Sequence, residues 1–239
     1  MDLRVASIAD ARSRSITPLL EREGFELWDA PSLAKDFGND GQIRRLYYAE
    51  CIDLAMQITG GRKAYVFDHL VRRREAGRPP LDMGRPGDGC KPSGNGRIHN
   101  DYSEASGQKR LGMVVSDALE RQAVGRYCIV NFWRSIKAPV VDTPLAVCDA
   151  TTVQASDLVA SEVRYQDRTG EIYQCTYSPA HRWSYFPEMN RDEVLVFKQY
   201  DSQVSGVSRF TPHAAFDLPC IPPDAPLRES IEARCLVLF

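Results

Sequence analysis

From residue 126 onward the chain consists of short apolar runs with no helical periodicity between them, and this texture restricts its possible folds more than any other feature. The runs are Arg126 to Arg134 (RYCIVNFWR), Leu145 to Asp149, Glu171 to Tyr177, Trp183 to Phe186, Glu193 to Tyr200, Val207 to Pro212 and Arg228 to Phe239. Each is rich in Val, Ile, Tyr, Phe or Trp, and clusters of Pro, Asp and Gly separate them, as strands joined by turns require. Many short strands without crossover helices point to a barrel or sandwich, and the jelly roll is the member of that group most often built around a metal.

The part before residue 126 is mixed. Ile16 to Glu23 reads as a short helix closed by Gly24, and Phe25 to Trp28 as a brief strand. Asp40 to Gly60 is a longer helix, because Ile43, Leu46, Tyr47, Cys51, Leu54 and Ala55 recur at three- and four-residue steps before Gly60-Gly61 stops it. Lys63 to Asp68 is a strand, and Ala105 to Arg121 a helix with Leu111, Val114, Val115, Ala118 and Leu119 on one side. Gly and Pro dominate Gly77 to Gly96, which suits an active-site lid or entrance loop and equally a stretch without fixed structure. The 239 residues fit a single domain, 1–239, in which a helical and mixed part (1–97) precedes a jelly-roll core (98–239). The expected class is mainly β with flanking helices.

Composition narrows the partners. A net charge of −2 and a basic run, Arg72-Arg73-Arg74, cut short by Glu75, offer no clustered cationic face for nucleic acid or an anionic membrane. Met1-Asp2-Leu3-Arg4 lacks the apolar core of a signal peptide, and no apolar run has the length of a membrane span. A soluble cytoplasmic protein acting on a small molecule is expected; the oligomeric state is open, a homodimer included. The cysteines at 51, 90, 128, 148, 175, 220 and 235 form no C-x-x-C pair and read as small buried hydrophobes in a reducing compartment.

One motif carries chemistry. In Ile98-His99-Asn100-Asp101-Tyr102 the side chains of His99 and Asp101, at i and i+2 of a strand, point the same way. An imidazole and a carboxylate so placed can take adjacent corners of one metal ion if a third ligand arrives from elsewhere. Two histidines and one carboxylate form the facial triad of non-haem Fe(II) oxygenases, which leaves positions open for O2 and substrates. The third ligand must come from His69, His181 or His213. His213, ending an extended segment late in the chain, is the choice, since a jelly roll returns a late strand beside an early one. His181 is the runner-up, and suits a substrate contact equally well. Near the C-terminus Arg228 and Ser230 share a strand face, where a guanidinium fork and a hydroxyl can converge on one carboxylate. In 2-oxoglutarate-dependent oxygenases an R-x-S pair after the distal histidine binds the far carboxylate of the cosubstrate.

These residues also carry a resemblance. Phe67-Asp68-His69, His99-Asn100-Asp101-Tyr102, Asn131-Phe132-Trp133-Arg134, Pro144 to Asp149, His181 to Pro187, Phe197 to Ser202, Pro212 to Phe216 and Arg228 to Glu232 follow in the order of the blocks of the CmcJ/NvfI, or AsaB-like, hydroxylase/desaturase family. Ser135 departs from the proline expected after the Trp-Arg pair. The resemblance implies a double-stranded β-helix (cupin-like jelly roll), Fe(II), 2-oxoglutarate with O2, and oxidative tailoring of secondary metabolites. On this reading His99, Asp101 and His213 hold iron, Arg228 and Ser230 hold 2-oxoglutarate, and Tyr102, Arg126, Trp133, Arg134, His181 and Trp183 shape the substrate pocket. Three alternatives stand beside it: an Fe(II)/O2 oxidase needing no 2-oxoglutarate, a Zn(II) hydrolase or lyase, and a non-catalytic metal-stabilised domain that binds a small molecule.

Overall fold

The computed structural model describes residues 4–74, 94–164 and 169–239. Most of the Gly/Pro-rich stretch expected as an entrance loop lies outside the described residues. In chain order the elements are β1 (Ile8–Asp10), β2 (Phe25–Asp29), α1 (Asp40–Gln42), a π-helical stretch (Ile43–Tyr47), α2 (Tyr48–Thr59), β3 (Lys63–Arg73), β4 (His99–Asn100), α3 (Glu104–Val114), α4 (Ala118–Gln122) and β5 (Tyr127–Ser135). There follow β6 (Leu145–Cys148), β7 (Leu158–Arg164), β8 (Thr169–Cys175), β9 (Trp183–Tyr185), β10 (Glu193–Asp201), β11 (His213–Ala215) and β12 (Glu229–Leu238). They form two sheets, one of seven strands in the order β1-β9-β6-β11-β4-β8-β7 and one of five in the order β2-β10-β5-β12-β3. This is the double-stranded β-helix, mainly β with flanking helices.

Alternation of side chains assigns the faces of the five-stranded sheet. Cys128, Val130 and Phe132 of β5, with Ile231, Ala233, Cys235 and Val237 of β12, pack against Tyr47, Cys51 and Ala55 of the helix. On the other face Trp133, Leu195 and Phe197 meet Leu145 and Val147 of the seven-stranded sheet. Farther along that face, Ile129, Leu236 and Leu238 pack with Tyr102 and Tyr200. Because both faces are covered, all nine residues of β5 are buried. Each fully buried large apolar side chain stabilises the sandwich by about 1.5–3 kcal/mol. The helix ends at Gly60, whose φ of 72° is left-handed and whose N–H reaches Met56 O at 2.9 Å. Gly107 of α3 lies so close to Tyr200 that a Cβ there would fall 2.3 Å from the ring, which seats α3 against β10.

Several elements differ from the sequence expectation. Ile16 to Glu23 forms a single turn instead of a helix, because the carboxylates of Glu23 and Glu26 take the N–H groups of Leu19 (2.9 Å) and Leu20 (2.7 Å). The helix expected over 105–121 divides in two where Asp117 caps the N–H groups of Leu119 and Glu120 at 2.8 and 3.0 Å. Val207 to Pro212 is irregular, and the strand begins only at His213. The short β1, parallel to β9, and the polar edge strand β7 were not expected. The core also reaches back beyond residue 98: β3 pairs with β12 from Arg73↔Glu229 to Lys63↔Leu238, and β2 pairs with β10. Among the described residues no helix is long and apolar enough to cross a membrane.

Candidate metal centre

β4 and β11 lie side by side in the seven-stranded sheet with His99 directly opposite His213. Asp101 follows β4 by one residue, and ligand atoms of His99, Asp101 and His213 all lie within 4.8 Å of one another. Both histidines are buried, and their ring centroids are 4.4 Å apart. The Nδ1 of His99 sits 2.7 Å from Arg97 O, and that of His213 3.3 Å from Thr211 O. A carbonyl only accepts, so each Nδ1 carries the proton and each Nε2 keeps its lone pair for a metal. Burial, reinforced by His99, pushes the His213 imidazole down to about 3, so it is neutral at physiological pH.

The carboxylate is held as firmly. Oδ2 of Asp101 accepts from Asn131 Nδ2 at 2.8 Å and from Arg234 Nε at 2.9 Å, while Oδ1 faces His99 Nε2 at 3.4 Å. Burial opposes its charge, but the Arg234 guanidinium outweighs it and holds the carboxyl well below the usual range. Asn100, between the two ligands, donates to Tyr102 O (2.7 Å) and Gln199 O (2.8 Å) and accepts from Thr211 N (3.0 Å). Gln199 in turn accepts from Asp101 N at 2.7 Å and donates to Thr211 O at 3.0 Å. One polar network thus ties the His-x-Asp segment to the approach of His213. Asn131, Arg234, Asn100 and Gln199 escaped the sequence reading, although Asn131 in YCIVNFW and Arg234 in ARCLVLF are lone polar residues in buried strands, where a partner is obligatory.

Ser230 lies on the same face of β12 as Arg234, and Arg228 immediately precedes the strand. Arg228 donates from Nε to Ser230 Oγ at 3.1 Å and from Nη1 to Thr143 O at 2.8 Å, and its guanidinium lies 5.4 Å from the Trp133 ring centre. Burial, with Arg72 nearby, pushes it down to about 10, still cationic at neutral pH. Tyr102 is buried beside the centre under the Arg110 guanidinium.

The other expected pocket residues stand elsewhere. Arg134 lies on the helix-covered face of β5, donating to Ala30 O (2.8 Å) and Arg191 O (3.1 Å) over the Tyr47 ring, because successive residues of a strand face opposite ways. Arg126 bonds Asp201 and Glu21 at the start of β5. His181, the alternative third ligand, turns its Nε2 to Asp157 Oδ2 at 3.0 Å. Trp183 packs with Ala146 and Cys148 on the face of β6 opposite to Val147. The structure brings none of these four to the metal ligands.

Fold and cluster define a cupin-like double-stranded β-helix with a two-histidine, one-carboxylate centre. A family model described as "Oxidoreductase/YMDC permease-like domain" matches residues 2–238. The chain is 31% identical to the hydroxylase/desaturase efuI of Hormonema carpetanum, covering 97% of this chain and 82% of that protein. It is likewise 31% identical to the alpha-ketoglutarate-dependent dioxygenase phiK of a fungal species, covering 100% and 85%. The solved structure of the iron and alpha-ketoglutarate-dependent endoperoxidase NvfI superposes with a TM-score of 0.83 at 26% identity, over 97% of this chain and 84% of that one. The chain belongs to the NvfI and AsaB-like hydroxylase/desaturase family of oxidoreductases.

Proposed function

We propose that this protein is a non-haem Fe(II)- and 2-oxoglutarate-dependent oxygenase that hydroxylates, desaturates or oxidatively cyclises a small molecule of secondary metabolism, with His99, Asp101 and His213 as its metal ligands. The observation that carries the reading is the convergence of two imidazoles and one oriented carboxylate within 4.8 Å, from strands far apart in sequence. The donor set fits the ion: three ligands leave half of an octahedron open. Buried polar atoms without a partner among the described residues, Trp133 Nε1 and Asn131 Oδ1, lie on the same face of β5, as a site that receives a polar molecule requires. Iron with 2-oxoglutarate and O2 would supply the oxidising power for breaking a C–H bond.

The chain's own residues provide binding and orientation. Asn131 and Arg234 fix Asp101 Oδ2 and leave Oδ1 to the metal. Arg228 and Ser230 receive the far carboxylate of 2-oxoglutarate. The Ser230 hydroxyl, accepting from Arg228 Nε, keeps its own proton to donate. Between Ser230 and Arg234 runs about 13 Å of strand, room for a five-carbon diacid between anchor and metal. Tyr102 and Trp133 wall the site and exclude water. The free thiols at the six described cysteines support a reducing, cytoplasmic setting.

Anaerobic titration of the metal-free protein with Fe(II) and then 2-oxoglutarate tests the reading. The expected result is the weak visible charge-transfer band of the chelate. Iron binding without that band would overturn the cosubstrate assignment and make Arg228 a substrate contact.

A further inference from the structure

α3 turns Gly107, Leu111 and Val114 toward the sheets, and Arg110, three residues after Gly107, lies at the edge of that inward side. The close approach of Gly107 to Tyr200 fixes the helix and with it the place of Arg110. The half-buried Arg110 guanidinium packs on two rings, 4.9 Å from the centre of Phe67 and 5.4 Å from that of Tyr102. Beyond these rings it has no hydrogen bond and no ion pair among the described residues. Its Nε is sealed from solvent, whereas Nη1 and Nη2 keep surface of their own.

The acids around it are engaged elsewhere. Asp68, next to Phe67 on β3, and Asp101, next to Tyr102, both accept from Arg234. Glu104, at the start of α3, accepts from Arg209 and Tyr200. Tyr102 is in the same condition: the residue is only 4% exposed, yet its hydroxyl has no partner among the described residues, and the charges of Arg110, Arg234, Asp101 and Asp68 all reach it. Two adjoining donors, a guanidinium fork and a hydroxyl, therefore lack an acceptor.

Register relates them to the metal ligands. Asp68 stands opposite Arg234, and a bulge between that pair and Val66↔Cys235 leaves Phe67 as the extra residue, on the side of Arg234 away from Arg228. Along the β3–β12 pair Asp101, bound to Arg234, thus lies between Arg228 with Ser230 at one end and Arg110 with Tyr102 at the other.

We infer that Arg110 and the Tyr102 hydroxyl anchor a carboxylate of the substrate, so that the molecule oxidised at this centre is an organic acid held at the opposite end of the site from 2-oxoglutarate. A planar fork matches the two oxygens of a carboxylate, one guanidinium balances one negative charge, and Phe67 offers the adjoining apolar part a ring to pack on. With separate anchors the two acids do not compete for Arg228. The inference deepens the proposed function and rests on it.

The probes are phenyl-substituted alkanoic acids, from phenylacetate to phenylhexanoate, each paired with its primary amide. They are titrated anaerobically into protein loaded with Mn(II) and saturating 2-oxoglutarate, and the broadening of their proton resonances by Mn(II), against a Zn(II)-loaded control, reports affinity and nearness to the metal. Wild type is expected to bind at least one acid about tenfold or more tighter than its amide, with broadening. Arg110→Gln is expected to abolish the preference, and Tyr102→Phe, which keeps the ring under the guanidinium, to reduce it several-fold. The wild-type arm needs no variant. Calorimetric titrations with Mn(II) and 2-oxoglutarate come first: failure of wild type to bind either overturns the proposed function. When both bind, absence of an acid preference at every chain length overturns the anchor alone. A preference that persists in Arg110→Gln, or acid bound without broadening, overturns it equally.

Discussion

Arg234 Nε donates to Asp101 Oδ2 at 2.9 Å across 133 residues of sequence, and Asn131 Nδ2 donates to the same oxygen at 2.8 Å. Two donors on one oxygen leave the other to the metal, so these side chains act on the ion through Asp101. Partners of this kind are worth about 10–100-fold in metal affinity. Asn131→Ala and Arg234→Ala are each expected to weaken Mn(II) binding by about that factor, read by calorimetry on folded protein. Wild-type affinity in both variants would mean that the backbone alone orients Asp101.

His213 and His181 make opposite predictions. His213→Ala should abolish metal binding, because it removes an Nε2 aimed at the cluster and leaves two ligands. His181→Ala should leave metal affinity unchanged and cost about 1–2 kcal/mol of stability through its lost contact with Asp157. Retention of metal by His213→Ala would require another ligand in its place.

Arg228, over the Trp133 ring, and Arg134, next to Trp133 in sequence, divide by sheet face. Arg228→Ala is expected to lose at least tenfold in 2-oxoglutarate affinity with metal binding intact, since Arg228 lies over Trp133 beside Ser230. Lysine should not restore it, lacking the planar fork. Arg134→Ala should instead lower stability by about 1–3 kcal/mol, leaving the carbonyls of Ala30 and Arg191 short of a donor, with cosubstrate affinity unaltered. Equal loss of cosubstrate affinity in the two variants would contradict the face assignment.

The legibility of this molecule in its sequence follows the range of the forces involved. His99 and Asp101 could be read because a two-residue period is local, and His213 because few histidines compete for one role. Strands β5, β6, β8, β9, β10 and β12 were visible for the same local reason, as runs rich in β-branched and aromatic residues. Arg134 was misplaced because the motif Trp133-Arg134 keeps both residues together in sequence while the pleat sends them to opposite faces. The short β1 and the edge strand β7 carry too little apolar pattern to announce themselves; their pairing is decided by β9 and β8. Asn131 and Arg234 depend on an oxygen contributed by a distant loop, and no local pattern names that partner.

At the opposite end of β10 from Glu193 lies a buried charge cluster whose cost and benefit depend on pH. Lys198 Nζ is 2.9 Å from Asp201 Oδ2 and 2.9 Å from Glu21 Oε2, and Arg126 Nη2 reaches the same Asp201 oxygen at 2.7 Å. Lys198 and Asp201 have no exposed side-chain surface. Burial alone would raise the Asp201 carboxyl, but the bond from Arg126 and the charge of Lys198 outweigh it and hold the group below its ordinary value. A depressed carboxylate stabilises the fold above its unfolded value, about pH 4, and that contribution is lost as pH falls through the folded value. Asp201→Asn leaves Lys198 without its fully buried counter-ion and is expected to cost about 3–5 kcal/mol at neutral pH. Urea unfolding of wild type and variant should therefore show a gap that is constant down to about pH 4 and narrows below it as the wild-type carboxylate protonates. A gap that stays constant into stronger acid would show that the Asp201 charge contributes nothing to it.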